Sequence, residues 1–335
     1  MAKVAVVILN HNGQQYLEKF LPAIVRYSEG QVIVVVDNAS TDQSAKLINE
    51  KFEGVRLIEL ANNNGYAGGY NESLKLIDSE YYVLLNSDVQ VTENWINPVI
   101  KLMDSDPSIT ACQPKILSYK QKDRFEYAGA SGGFIDFLGY PFCRGRIFNT
   151  TERDDGQYDN TRQIFWASGA CFFVKSKVFY QLGGFDEDFF AHMEEIDLCW
   201  RMNNLGLKVM VCPESTIYHV GAGTLPVSNP RKTYLNFTNN LAILTKNLSF
   251  NKLFFILPIR ILLDWIAALK FLVDGTTNHS FAILKAHFEF VGKFRIHLRK
   301  RTRGQKAISK ALVLNKSVVA AYFLQRKKGF NDMKF

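Results

Sequence analysis

At 335 residues, with 47% hydrophobic and 21% charged side chains, the chain can bury one large core or two smaller ones and is too apolar to be disordered. Its net charge of +8 hides an asymmetry. Residues 1–229 hold 20 Lys+Arg against 28 Asp+Glu, a net of −8, while residues 230–335 hold 20 against 4, a net of +16. The five cysteines (Cys112, Cys143, Cys171, Cys199, Cys212) lack CxxC spacing, which argues against a disulfide framework and for reduced thiols of a cytosolic protein. Met1-Ala2-Lys3 leads straight into a strand-like run without a leader-length apolar stretch and cleavage site, so no signal peptide is expected.

Val4–Leu9 reads as a first strand, a continuous apolar run of the kind buried in a parallel sheet, ending in the loop Asn10-His11-Asn12-Gly13. Tyr16, Leu17, Phe20, Leu21 and Ile24 then fall at helical spacing. Val32–Val36 is a second strand stopping at Asp37, and Ser40 with Gln43 has the spacing of a capping box for the next helix. Arg56–Leu60 makes a third. It is followed by Asn63 to Asn71, where Gly65, Gly68 and Gly69 permit close backbone approach to a phosphate or sugar. The spacing is neither GxGxxG nor a P-loop. Tyr81–Leu85 is a fourth buried run, breaking into Asn86-Ser87-Asp88.

This alternation of strand, loop and helix predicts an α/β fold with a doubly wound, mostly parallel sheet. Such sheets bind ligands outside the carboxyl ends of their strands. There Asp37 suits either a ribose hydroxyl or base N–H, or helix-start turn chemistry. Asn86 and Asp88 share a side of an extended chain. They either offer hard oxygens to a divalent cation or form an ordinary turn.

A helix continues from near Trp95 through Met103, and Cys112–Leu117 looks like a strand that Pro114 assigns to a sheet edge. Ser118–Arg162 shows weak periodicity and reads as a long excursion. Order returns at Phe165–Val174, and Gly183–Arg201 follows with three acids in four positions. With a helix from Met193, Glu194 and Asp197 share a face and Asp197 pairs with Arg201. Glu195 points about 100° away, toward a cleft. The alternative is an acidic helix start, solvated and without further role. After a strand at Lys208–Val211, His219 is either a satisfied structural imidazole or a ligand completing a carboxylate site, which favours Mn²⁺ over Mg²⁺. The Gly/Thr/Pro/Ser run beyond it has the composition of a mobile lid.

Leu253–Val273 is the most apolar stretch, but Pro258, Arg260, Asp264 and Lys270 interrupt it, too many ionisable groups for a spanning helix. It reads as amphipathic, with those residues along one side. Phe281–Phe294 is similar and runs into Lys293, Arg295, Arg299, Lys300, Arg301, Arg303 and Lys306; Ser317–Leu324 precedes Arg326-Lys327-Lys328. Apolar faces flanked by cations suit an anionic membrane surface. The other reading is a packing or oligomerisation module that makes a homo-oligomer. An acidic first two thirds without a binding motif argues against nucleic acid as a partner.

Taken together, Val6–Gly13, Val34–Asp42, Asn63–Asn71, Leu84–Val89, Trp166–Val174, Gly183–Arg201 and His219–Thr224 resemble, in the family's order, an inverting family 2 glycosyltransferase of GT-A fold. The likeness is to bacterial rhamnosyl- and galactofuranosyltransferases of cell-surface glycans. The resemblance implies a catalytic domain over residues 1–235 and a helical, basic, amphipathic region over 236–335. It implies a UDP- or dTDP-sugar donor contacted by Asn12, Asp37, Asn63, Gly65, Asn71, Asn86 and Asp88. Asp88, His219 and Asn86 would hold the divalent cation, Mg²⁺ or Mn²⁺. Asn86 stands where the family has its first acid, a neutral amide that weakens the site's charge. Glu195 would be the catalytic base, with Glu194, Asp197, Trp166 and Gly169 lining the acceptor and sugar cleft. The expected acceptor is a glycan, lipid-linked, met by a cytoplasmic protein lying peripherally on the inner face of the membrane. A sugar-nucleotidyltransferase is the competing enzyme class, but Asn10–Gly13 lacks the cation of a triphosphate loop.

Overall fold

Burial on both faces explains why the first apolar run is a strand. In the computed structural model, which describes residues 2–221, 228–301 and 308–335, Ala2–Asn10 forms β1, with Val4–Ile8 at most 2% exposed. Helix α1 (Gln14–Tyr27) turns Leu17, Phe20, Leu21 and Ile24 inward. The unit repeats through β2 (Val32–Asp37), α2 (Ser44–Lys51), β3 (Arg56–Glu59), α3 (Gly65–Leu74) and β4 (Ser79–Asn86). β1 lies between β2 and β4, parallel to both, with Asn10 opposite Asp37 and Leu9 opposite Asn86. That register lines up three carboxyl ends at one mouth.

After β5 (Val89–Val91), α4 (Asn97–Ser105) and β6 (Ile109–Ser118), the stretch expected as an unpatterned excursion proves to be built. β7 (Gly133–Asp136), β8 (Pro141–Cys143), β9 (Arg146–Ile147) and β10 (Thr150–Thr151) form a second sheet. Strands of two to four residues are too short to show a period of two.

The central sheet is completed by β11 (Arg162–Ile164) and β12 (Cys171–Lys175), then, after α5 (Ser176–Gln181) and α6 (Glu194–Asn204), by β13 (Lys208–His219). Its order is β11-β13-β6-β12-β4-β1-β2-β3, with β5 paired to β13. β12 runs antiparallel between β4 and β6. The edge position expected for Pro114 is therefore corrected: β6 is interior. Its proline is tolerated because β13 bulges opposite it, between Cys212 and Thr216, and β12 pairs with β6 only at Ala111 and Cys112. The capping box expected at Ser40 is also absent. Ser40 Oγ accepts from the Asn12 N–H at 2.9 Å, and Asp42 accepts instead from the Ser44 N–H at 3.0 Å.

Alternate residues of β1 divide the interior. Val4, Val6 and Ile8 pack with α1 and Trp95; Ala5 and Val7 belong to the other layer, with Tyr70, Phe165 and Trp200. That second layer continues into α7 (Pro230–Asn247), α8 (Phe250–Val273) and the terminal segment, through Leu244, Leu253, Leu314, Phe330 and Met333. α9 (Thr277–Arg299) packs on α7 and α8; β14 (Val313–Leu314) adds parallel to β7, and α10 (Val318–Phe323) follows. One core thus crosses the boundary at residue 235. Among the described residues no helix is long and apolar enough to cross a membrane. The lid expected beyond His219, at residues 222–227, and the basic residues Arg303 and Lys306 lie outside the described residues.

Helix α7 also reaches α6 through charge. The Lys246 ammonium, 2% exposed, lies 2.6 Å from Asp186 Oδ2 and 2.9 Å from Asp197 Oδ2. Lys300 adds contacts of 2.5 Å to Asp186 and 2.6 Å to Asp188. Breaking a buried pair by removing one partner strands the other charge, at a cost of about 3–5 kcal/mol. Lys246→Met should accordingly lose about 3 kcal/mol or more in urea unfolding. A loss below about 1 kcal/mol would mean the network carries no such weight.

Candidate active site

The three strand ends are tied together by side chains. Asn10 Nδ2 donates to Asp37 Oδ1 at 3.3 Å, and Asp37 Oδ2 accepts from the Ser40 N–H at 2.9 Å. Asn12, in the left-handed region at φ 53°, accepts through Oδ1 from the Thr41 N–H at 2.7 Å, clipping the first loop to the second. Asn38 donates to Asn63 Oδ1 at 3.1 Å and to the Gly65 carbonyl at 2.9 Å, joining the third loop. Asn12, Asp37 and Asn63 are therefore brought to one web around Asn10 and Asn38, two organisers that the sequence reading passed over. Asn10 Oδ1 is buried there without a partner.

The sheet also explains why His219 meets Asp88. β13 pairs with β5 so that His219 is opposite Val89, and the Val220 N–H donates to the Asp88 carbonyl at 3.1 Å. His219 Nε2 then lies 3.1 Å from Asp88 Oδ1 and 3.4 Å from Asn86 Nδ2. Its Nδ1 lies 3.2 Å from Glu126 Oε2. Glu126, 6% exposed, comes from the excursion and was not singled out. Burial works against a charged imidazole, but the Glu126 and Asp88 carboxylates outweigh it and raise His219 to about 10. Burial likewise works against charge on Asp88 and Glu126; the imidazolium prevails and holds both carboxyls below their ordinary range. A divalent cation fits this donor set only after His219 gives up its Nε2 proton, which frees that nitrogen beside the Asp88 carboxylate and the Asn86 amide, with Glu126 backing the ring. No ready-made cluster of three or more His, Cys, Asp or Glu ligands occurs among the described residues.

The acids of α6 separate into two environments. His192 and Met193, at φ 70° and 75°, turn the chain into the helix. Asp197, fully buried, accepts from Arg201 Nε at 2.9 Å, from Lys246 Nζ at 2.9 Å and from Asn247 Nδ2 at 2.8 Å. Burial is outweighed by these donors, and its carboxyl is held below the ordinary value. Among the described residues Glu194 and Glu195 have no cation, and each has one buried carboxylate oxygen without a partner. Burial raises both, and Glu194 is pushed up further by the charge of Glu195. Backbone N–H groups at Gly169 and Ile196 favour the charged form of Glu195. A Cβ built on Gly169 would lie 3.8 Å from the Glu195 carboxyl carbon and 2.9 Å from the Tyr66 hydroxyl, which itself donates to the Gly169 carbonyl at 2.8 Å. The next carbonyl, Ala170, accepts from the Asn86 N–H at 3.1 Å. One short backbone step therefore links the Glu195 neighbourhood to the Asn86–Asp88–His219 group.

Four expected site residues make close contacts with other parts of the protein. Asp197 lies within the interior lattice described above, without exposure to a cleft. Trp166, 4% exposed, donates its indole N–H to the Phe134 carbonyl at 3.0 Å and packs on Gly133 in the core. Asn71 binds the Phe185 N–H and carbonyl, both at 2.9 Å, pinning the loop before α6. Gly65, at φ 68°, has no room for a Cβ because the Phe190 carbonyl oxygen would stand 2.1 Å away, so its close backbone approach is to protein.

Comparisons with known proteins bear on the family and the fold. The chain is 27% identical over 233 residues to N-acetylglucosaminyl-diphospho-decaprenol L-rhamnosyltransferase of Mycobacterium tuberculosis, a match covering 64% of this chain and 75% of that protein. The structure of GalNAc-T7 with UDP, GalNAc and Mn²⁺ superposes with a TM-score of 0.57 at 15% identity, over 73% of this chain and 48% of that one. The mannosyltransferase PcManGT of Pyrobaculum calidifontis, with GDP-Man and Mn²⁺, gives 0.54 at 13% identity, over 86% of this chain and 87% of its own. These structural likenesses show a shared GT-A fold. The family model described as "Glycosyl transferase family 2" matches residues 5–183, more than half of the 335, and the chain belongs to that family of glycosyltransferases.

Proposed function

We propose that the protein transfers a sugar, a rhamnose-like hexose, from a UDP- or dTDP-sugar to a hydroxyl of a lipid-linked glycan acceptor, with inversion. The observation that carries this reading is the pair Glu194–Glu195, each with one buried carboxylate oxygen unpartnered among the described residues, beside Gly169 and one backbone step from Asn86–Asp88–His219. The acceptor oxygen attacks the anomeric carbon as the bond to the nucleoside diphosphate breaks, and one carboxylate takes the hydroxyl proton. Glu195 is that base, because backbone N–H groups support its ionised form, while Glu194 keeps a proton. Asn12, Asp37 and Asn63 border the nucleoside side. Asp88 and His219, with Asn86, would hold a divalent cation, Mg²⁺ or Mn²⁺, which when bound offsets charge on the leaving diphosphate. The GalNAc-T7 and PcManGT structures, each with a nucleotide ligand, carry Mn²⁺.

The name of the mycobacterial relative, with its decaprenyl diphosphate, supports a lipid-linked acceptor, so we assign the protein to the cytoplasmic face of a membrane. In this division of labour residues 1–235 carry donor and chemistry and residues 236–335 seat the chain.

Glu195→Gln should lose about 10²–10⁴-fold in turnover while donor affinity is retained; near-normal turnover would relocate the base. Because burial raises the Glu195 carboxyl, its inactive protonated form persists above the ordinary glutamate range. The acid limb of kcat/KM should therefore lie above about pH 4.3, and a limb at or below that value would contradict the environment described. Asp88→Ala should weaken donor binding measured calorimetrically with Mn²⁺ present; unchanged affinity would remove Asp88 from the donor site.

A further inference from the structure

Helix α8 is amphipathic in the opposite sense to an ordinary surface helix. Two charged side chains in its middle point into the protein: Arg260 and Asp264 are each 2% exposed. Arg260 donates to the Leu138 carbonyl at 3.0 Å, and Asp264 Oδ2 lies 3.2 Å from His287 Nε2 on α9. From residue 253 through 269, by contrast, every exposed position is apolar. Phe254 is 75% exposed, Phe255 67%, Leu262 62%, Ile266 56% and Leu269 61%, with Trp265 at 49%. Helix α9 extends the strip: Phe288 is 79% exposed and Val291 69%, and the Trp265 ring lies 5.8 Å from that of His287, the residue before Phe288. So much contiguous exposed apolar surface calls for a partner.

We propose that the outward faces of α8 and α9 insert side-on into an anionic bilayer surface. The inference deepens the membrane-face reading above and is independent of the base and cation assignments. Charge chooses the occupant. Exposed Lys252 stands at one end of the α8 strip and Lys270, paired with Asp274, at the other; Lys285, Arg295 and Arg299 are exposed on α9. The segment from residue 230 onward has a net charge of +16. A second copy would press cations against cations, whereas an anionic leaflet accepts the apolar strip and its basic margin together. The buried Arg260 and Asp264 keep α8 attached to the domain, so the hairpin lies on the bilayer without crossing it.

Trp265 supplies a built-in reporter, since Trp95, Trp166 and Trp200 are 0%, 4% and 3% exposed. The test adds vesicles of phosphatidylcholine, with or without phosphatidylglycerol, to the full chain and follows flotation and tryptophan emission. Expected are flotation with the anionic vesicles, weakened by salt, and a blue shift that Trp265→Phe removes without abolishing binding. The double variant Leu262→Glu and Ile266→Glu should reduce the bound fraction by about tenfold or more, with its thermal unfolding unchanged. Equal flotation of that variant, or the absence of an emission shift on binding, would overturn the proposal. Flotation indifferent to lipid charge and salt would overturn its anionic part. Failure to float, with a concentration-dependent dimer that shields Trp265, would make the occupant a second copy. Turnover with a water-soluble acceptor, measured in parallel, separates the two readings. Vesicle binding without any transfer would sink the enzymatic proposal alone, and transfer without vesicle binding this one alone.

Discussion

The account rests on how compensating charge is distributed along one turn of helix. α6 opens with three carboxylates within four residues. A buried carboxylate keeps its charge only where donors or cations replace its water. Asp197 receives Lys246, Arg201 and Asn247 and is held ionised; Glu194 and Glu195 receive no cation among the described residues and are pushed toward the protonated form. Environments that drive neighbouring carboxyls apart in this way create acid–base capacity at ordinary pH. One of the two cations on Asp197, Lys246, belongs to α7, so the helices beyond residue 235 help to determine the electrostatics of the candidate site.

The sheet supplies the other half. Parallel register aligns the ends of β1, β2 and β4, and the pairing of β5 with β13 puts His219 against Asp88 although 131 positions separate them. Glu126 then sits behind the imidazole, the arrangement in which a carboxylate orients a histidine toward what its other nitrogen faces.

Much of this was legible beforehand. The β-branched runs of β1, β2 and β4 have the composition of strands covered on both faces, and their polar ends marked the mouth. The pairing of Asp197 with Arg201 followed from helical spacing alone. What stayed hidden was long-range or too short to pattern. Glu126 lies in the irregular stretch between β6 and β7, and the edge position expected for Pro114 fails because the bulge that accommodates it lies on another strand. Glycine 65 and Asn71 carry signatures that serve a phosphate loop and a close protein contact equally well; only the position of Phe190 and Phe185 distinguishes them. For α8, a wheel separates apolar from charged residues but is silent on which side faces inward.

The direct test of the central claim is a carbon-13 NMR titration of the glutamate carboxyls, assigned with Glu194→Gln and Glu195→Gln. The account predicts a protonated Glu194 carboxyl that persists well above the ordinary range of about pH 4.3, beside a Glu195 that ionises first but later than an exposed glutamate. Two carboxyls that both ionise as exposed glutamates do would contradict it.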